Sequence, residues 1–510
     1  MTCKAKRPHP LRPGLLDTLH GYRRQHLAAD TIAGAITAIL IIPQGMAYAL
    51  LAGLPAQYGL YAAIFPPALY ALWGTSRTLA VGPVAVASLM VANALANYAE
   101  TTPEWIEGAV ILAAEVSAML LIAGALGFGR LVAFISHPVL RGFTSAAAIL
   151  IVVSQIGPLL GIEVNRGAAP EMLQSLMDQA GRIDGPTAAV ATLAIVTLLL
   201  GRSPAKRLLL ALGLSQRSAA MLTRTVPLVV VVVATAAIAL LTTASDRPVA
   251  VVGEIPSGLP VPGRDLLNAS GWIGLLPSAA AIALIGYVES ITVAQVLAAR
   301  RRERVDPTRE LIALGLANAG SAIAGTMPAA GGFSRSVVND EAGAHSQVAA
   351  VITAVLVAII TVWFTGWFET LPRAVLAAII VIAVIQLIEP REALAILQFD
   401  RGDGATLAAT FAAVLVFGIE IGLATGIALS LLIYVWRTSR PHIAIVGRVP
   451  GTEHYRNVLR HRVECHPKAV MLRVDENIYF ANADAIREVV LDAIDQATGP
   501  RYLVVAMTSV

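Results

Sequence analysis

The chain has 510 residues, of which 56% are hydrophobic and only 14% charged, and its mean hydropathy is +0.72. A soluble protein of this size would carry about 25% charged residues, whereas here apolar runs of about twenty residues recur, which excludes a soluble globular fold and indicates a polytopic membrane protein. The formal net charge is only +4, and Cys3 and Cys465 lie near opposite ends, so neither a disulfide framework nor a metal-ligand spacing is present.

Residues 1–29 hold Lys4, Lys6, Arg7, Arg12, Arg23 and Arg24 against few acids, which makes this segment cytoplasmic by the positive-inside rule. It is basic and polar rather than apolar, so no cleavable signal peptide is evident. The first span is predicted near 30–51 and the second near 56–73. A half-helix at 82–97 is the third. The fourth falls near 105–127, the fifth near 140–160, the sixth near 185–200 and the seventh near 226–243. The eighth is the long stretch Trp272 to Ala299, the ninth lies near 308–325, and a broken tenth begins near Gly332. The eleventh to fourteenth fall near 346–367, 373–388, 404–419 and 421–436. From about Arg448 the character becomes that of a soluble domain. Ala469–Val474 reads as a strand, Ala483–Gln496 has helical spacing, and Tyr502–Met507 reads as a second strand, the start of an α/β domain.

Charge tests the orientation. With the N-terminus inside, connections after even-numbered spans should be basic. The sixth is followed by Arg202, Lys206, Arg207, Arg217 and Arg224, the eighth by Arg300, Arg301, Arg302 and Arg304, and the fourteenth by Arg437 and Arg440. The loop after the fifth reads the other way, with Glu163, Glu171, Asp178 and Asp184 against Arg166 and Arg182. The pattern fits fourteen spans with both ends inside. The halves are also alike: 37 residues separate Gly45 from Gly82, and 43 separate Glu289 from Gly332. A repeat of seven spans would be inverted in the membrane.

Two breaks inside apolar sequence carry the function. Ala329-Ala330-Gly331-Gly332 follows Pro328 and interrupts a span, and Phe333-Ser334-Arg335-Ser336 can start a new helix. Leu79-Ala80-Val81 suits a short extended piece, and Gly82-Pro83 then favours a helix start. A helix that begins at mid-membrane turns its free N–H groups and the positive end of its dipole inward, and Arg335 adds a full charge. Such paired interruptions mark the substrate site of secondary transporters, and this pair suits an anion.

Among polar residues, Gln44 and Tyr48 share one face of the first span. Both can donate to an anion or bond a neighbouring helix. Glu289 sits at mid-span, where a charge costs roughly 2.5–3.5 kcal/mol, so it is expected to be paired or protonated, with Arg335 as the candidate partner. A carboxyl poised between burial and a guanidinium suits proton coupling, and a static ion pair is the other reading. Protonation of Glu289 together with anion entry gives a route to proton–anion symport. Glu115 and Glu420 read as structural polar contacts, and Arg300–Arg304 as the cytoplasmic anchor of the eighth span. There is no Walker loop, no G-x-S-x-G and no paired histidine at metal spacing, so no enzyme and no cofactor is expected, nor a nucleic-acid partner.

The segments Pro43-Gln44-Gly45-Met46-Ala47-Tyr48-Ala49, Ala52-Gly53-Leu54-Pro55 and Tyr58-Gly59-Leu60-Tyr61 resemble the signature of the SulP sulfate permeases, relatives of prestin and pendrin. Gly74-Thr75-Ser76-Arg77, Gly82-Pro83 with Ser88-Leu89-Met90, Glu310 to Asn318, and Phe333-Ser334-Arg335-Ser336 continue the match over nearly the whole chain. The resemblance implies an all-α polytopic fold of fourteen spans in a 7+7 inverted repeat at 30–437. Its core would be spans 1–4 and 8–11, its gate spans 5–7 and 12–14, and spans 3 and 10 the broken half-helices. It implies a homodimer in the plasma (inner) membrane, in contact with lipid. It also implies a cytoplasmic STAS domain, which Val474 to Ala483 resembles and which at 448–510 reads as cut short. By similarity, Gln44, Tyr48, Val84, Phe333, Ser334 and Arg335 surround the anion, with Gly82, Pro83, Gly331 and Gly332 at the half-helix starts, and Glu289 matches the coupling acid. One departure is that Ala329-Ala330 and Val293 replace the hydroxyls that sodium-coupled bicarbonate relatives place there, which tilts the expectation toward protons. The expected activity is proton-coupled sulfate uptake by an elevator-like movement. The alternatives are sodium- or proton-coupled bicarbonate or C4-dicarboxylate transport, or an anion exchanger or channel.

Overall fold

The computed structural model describes residues 22–96, 98–129, 136–241, 249–260, 271–496 and 502–506. Cys3, the basic residues from Lys4 to Arg12, the end of the predicted seventh span and Met507 lie outside the described residues.

The first helix, α1 (Arg24–Ala52), runs unbroken through Pro43, so the Gly- and Pro-containing stretch does not interrupt this span. The predicted second span is two pieces, α2 (Gln57–Tyr61) and α3 (Phe65–Trp73), with Pro66 and Pro67 in the first turn of the latter. There follow β1 (Val81–Gly82), α4 (Ala85–Ala96), α5 (Thr102–Ala125) and α6 (His137–Leu160). Next come α7 (Ala169–Gln179), α8 (Gly185–Leu200), α9 (Ser203–Ala211), α10 (Gln216–Arg224) and α11 (Val226–Leu241). The second half holds α12 (Trp272–Arg300), α13 (Pro307–Ile323), β2 (Ala330–Gly331), α14 (Phe333–Glu341) and α15 (Val348–Trp363). It closes with α16 (Arg373–Val384), α17 (Pro390–Phe399), α18 (Arg401–Phe417) and α19 (Ile419–Thr438).

Local chemistry fixes several starts. Thr101 and Glu104 form a capping box on α5, Asp184 accepts from Thr187 N–H at the start of α8, and Asp306 accepts from Thr308 and Arg309 N–H at the start of α13. Each replaces a bond that the first turn cannot make internally.

Among the described residues, six helical runs are long and apolar enough to cross a membrane: α1, α5, α6, α12, Arg373–Phe399 and α19. The other predicted spans fall on shorter helices. The amphipathic connectors α7, α9, α10 and α17 escaped the sequence reading, because span-length windows average them away.

The helices pack in two groups. In one, α5 lies along α13 and α12, α13 along α3, and α1 along α15 and α4. In the other, α6 lies against α18 and α16, α16 against α8, and α18 against α19. The groups meet where α16 and α11 touch α1 and where α4 touches α6. Tyr70, Phe143, Met46 and Ile111 are among the fully buried side chains.

The C-terminal sheet has strand order β4-β3-β5-β6, with β3 (Ile443–Arg448), β4 (Tyr455–Asn457), β5 (Ala469–Val474) and β6 (Tyr502–Ala506). β5 and β6 pair in parallel, with α20 (Ala483–Asp495) between them in sequence. The strand–helix–strand reading fits, but the sheet begins at Ile443, before the expected boundary at 448. The short β3–β4 hairpin was missed because its exposed residues blur the alternation. Arg473 donates to Asp475 at 2.7 Å and, with His442 beside it, holds that carboxyl below the usual range. The domain is tied to α19 through Asn482, whose Nδ2 donates to Thr438 O at 3.3 Å.

Candidate functional site

The two sequence breaks meet as a miniature antiparallel sheet, Val81 opposite Gly331 and Gly82 opposite Ala330. The extended pieces lie where Gly and Pro disfavour helix, and each then leads into a half-helix, α4 from Ala85 and α14 from Phe333. Non-helical backbone within a membrane is tolerated only when its polar groups are satisfied by protein. Gly332 N–H donates to Ala80 O at 3.1 Å, and Ala80 N–H to Ser336 Oγ at 2.8 Å. Gly331 N–H donates to Ser290 Oγ at 2.7 Å. Asn318 brackets Ala329, accepting its N–H at 2.9 Å and donating to its O at 3.0 Å. Asn339 and Gln347 donate to the carbonyls of Thr78 and Leu79 at 3.1 and 3.2 Å.

Arg335 lies between the two breaks and is 2% exposed. Its Nη1 donates to Pro83 O at 2.6 Å, while Nε and Nη2 have no partner. A Cβ at Gly332 would stand 2.9 Å from Nη2, and one at Gly82 would stand 3.4 Å from it. The absence of a side chain at Gly332 is what lets the guanidinium lie between the helix starts. The expected pairing of Glu289 with Arg335 is not made. The guanidinium turns instead to the carbonyl exposed by the break at Pro83, an acceptor that sequence spacing does not reveal.

Glu289 is half-buried on α12, beside residues that touch the site. Ser290 bonds Gly331, and a Cβ at Gly286 would lie 3.3 Å from Ala330 Cβ. Gln44 and Tyr48 are buried on α1, which packs on both α4 and α14. A Cβ on the adjacent Gly45 would lie 3.6 Å from the Pro83 ring. Val84 is buried, and its carbonyl accepts Ser88 N–H at 2.9 Å. Phe333 (51% exposed) and Ser334 stand open at the start of α14. The structure thus gathers Gly82, Pro83, Gly331, Gly332 and Arg335 by direct contact, and brings Gln44, Tyr48, Val84 and Glu289 in on adjoining elements.

Of the two acids read as structural contacts, Glu420 accepts from Ser278 Oγ at 2.5 Å. Glu115 is buried with both oxygens unpartnered, which corrects the expectation for it. The sequence reading missed Asp30 and Glu310, both fully buried. Glu310 accepts from Tyr70, Thr75 and Ser76, pinning the segment ahead of β1. Asp30 accepts from Tyr22, His345 and Ser346, pinning the segment after α14. The advance signals were a carboxylate within apolar helical sequence and, for Glu310, its place at the head of a segment that resembles the family.

Residues 27–410 match the model of the sulfate permease family. The chain belongs to that family. It is therefore a membrane transporter and not an enzyme. Sulfate transporter 4.1 of Arabidopsis thaliana, described as chloroplastic, is 36% identical over 469 residues, covering 91% of this chain and 66% of its own length. A probable sulfate transporter of Mycobacterium tuberculosis is 32% identical over 496 residues, covering 96% and 84%. The chain spans about two thirds of the length of the plant transporter. Among solved structures, that of SLC26A9 superposes with a TM-score of 0.87 at 24% identity, over 95% of this chain and 77% of that one. The fold of that structure is thus present over nearly the whole chain.

Proposed function

We propose that the protein is a secondary active anion transporter that imports sulfate together with protons. The observation that carries this reading is the junction of β1 and β2, where two half-helices start against one buried guanidinium with two N–H-bearing nitrogens unspent. A helix start contributes roughly 0.3–1 kcal/mol toward an anion, up to ~2 when partly buried, and Arg335 adds a full charge. Gln44, Tyr48, Val84, Phe333 and Ser334 complete the pocket wall. Sulfate is favoured because the plant and mycobacterial relatives carry that name.

Glu289 is the coupling acid. Unpaired with Arg335, its charge opposes an anion at the neighbouring break unless it is protonated, so proton and anion enter together. Protons are favoured over sodium because Ala329, Ala330 and Val293 offer no side-chain oxygen, and the Ala329 carbonyl is already bonded by Asn318. The two helix groups act as core and gate of a fourteen-span, 7+7 inverted repeat with both termini in the cytoplasm. The core moves past the gate in an elevator-like step, in a homodimer at the plasma (inner) membrane, with the C-terminal STAS domain inside.

The test is uptake of radiolabelled sulfate into proteoliposomes under imposed gradients. An inward proton gradient should stimulate it, Glu289→Gln should abolish gradient-driven accumulation while sparing exchange, and Arg335→Ala should raise the sulfate KM at least tenfold. A sodium requirement, or a Glu289→Gln protein that still responds to the proton gradient, overturns the coupling assignment.

A further inference from the structure

A cavity of 780 Å³ opens between the two helix groups on the face where α1 ends, and none of the central-site residues lines it. Its deep end is apolar, with Ala47 and Leu89 facing Leu376 and Ile380, while its rim carries Arg166 and Arg373. Arg166 follows α6 in one helix group but reaches across to the other. Its guanidinium lies 4.8 Å from the centre of the Trp105 ring, and its Nη1 packs on Gly53. That residue has φ +84°, and any Cβ there would strike both Nη1 and the indole. The indole is itself fixed, donating from Nε1 to Ala52 O at 2.8 Å. Acids are near, since Glu163 and Glu254 line the same cavity, yet Arg166 forms no ion pair among the described residues. Arg373 spends Nε on Val251 O at 3.0 Å, and its terminal nitrogens form no ion pair there either.

We infer that Arg166 and Arg373 form a second anion station at the rim of this cavity, which takes an oxyanion before it reaches the half-helix starts. A guanidinium held over an aromatic face and not paired with a carboxylate keeps N–H groups available, and its fork matches the edge of an oxyanion. Glu163 and Glu254 in this cavity, and Glu171 and Asp178 in the adjoining one that Arg166 also lines, offset the two positive charges, so the station holds its anion loosely and passes it inward. The inference rests on the anion reading above for the direction of travel, but its chemistry is local to Arg166, Arg373 and Trp105.

The experiment is a sulfate titration of tryptophan fluorescence on the full chain at fixed ionic strength, with gluconate as the balancing anion. Sulfate should change the emission of Trp105. The change should vanish in Trp105→Phe and in Arg166→Gln, weaken several-fold in Arg373→Gln, and persist in Arg335→Ala. In proteoliposomes Arg166→Gln should raise KM for sulfate several-fold from the cavity side with Vmax kept, and Arg166→Lys should recover only part of the loss. No Trp105 signal, a signal indifferent to Arg166, or one lost in Arg335→Ala overturns the station. The last of these would leave the central site standing, whereas a persistent signal in a protein that moves no sulfate would retire the transport reading alone.

Discussion

Glu310 and Glu115 are both acids buried within helices, and their surroundings set opposite expectations. Glu310 accepts from the Tyr70 hydroxyl at 2.7 Å, Thr75 N–H at 2.7 Å, Thr75 hydroxyl at 2.5 Å and Ser76 N–H at 3.1 Å. Orphaning a buried donor costs roughly 1–3 kcal/mol. Glu310→Ala should therefore lower thermal stability in detergent by several degrees and loosen the segment that delivers β1. Glu115 has two buried oxygens and no partner. Glu115→Leu should be neutral or stabilising, by up to about 2 kcal/mol, because it removes an uncompensated desolvation. A melting curve that falls for Glu115→Leu as it does for Glu310→Ala would show that Glu115 has a partner after all. Composition and hydropathy detect a charge in an apolar run but not its acceptors or donors. Glu289 and Arg335 were thus legible as charges set close to the breaks, while the pairing expected between them is not made. Asp30, in the second turn of α1, drew no attention from its spacing, yet it is fully buried.

At the scale of elements, the breaks could be read because Gly and Pro act locally: Gly82-Pro83 and Gly331-Gly332 end one conformation and permit another without help from distant residues. That β1 and β2 would pair was not readable, since register between segments about 250 residues apart is set by the helices that carry them. Likewise β5, α20 and β6 emerged from period and flanks, but the split of the second span into α2 and α3 did not. The pairing makes Gly332 a sensitive position. A methyl there would sit 2.9 Å from Arg335 Nη2 and 3.1 Å from Cζ, closer than carbon atoms tolerate. The guanidinium would have to leave Pro83 O. Gly332→Ala should therefore cut sulfate uptake at least tenfold while leaving the melting temperature within a few degrees of wild type. Uptake that survives the substitution would mean that Arg335 can serve from another rotamer, and that its present seat is not the functional one.

For the whole molecule, what matters is how the two helix groups are held against each other, because the elevator-like step proposed above would have to break whatever bridges them. Arg224, at the end of α10 beside the group containing α16, pairs with Glu341 at the end of α14. Their side chains are 18% and 48% exposed, so the pair is partly solvated and worth no more than about 1 kcal/mol. That is a useful size for a latch, since 1 kcal/mol shifts a two-state population about fivefold without locking it. Arg224→Glu and Glu341→Arg should each replace attraction by repulsion, favour the arrangement in which these ends are apart, and change the uptake rate several-fold in the same direction. The double exchange should return the rate toward wild type, and the effect of each single change should shrink as salt rises from 50 to about 500 mM. If the double exchange is simply the sum of the two single ones, the two side chains do not meet during transport. Besides Arg166 on Trp105, a further bridge between the helix groups is Ser278 on Glu420, which Glu420→Gln tests.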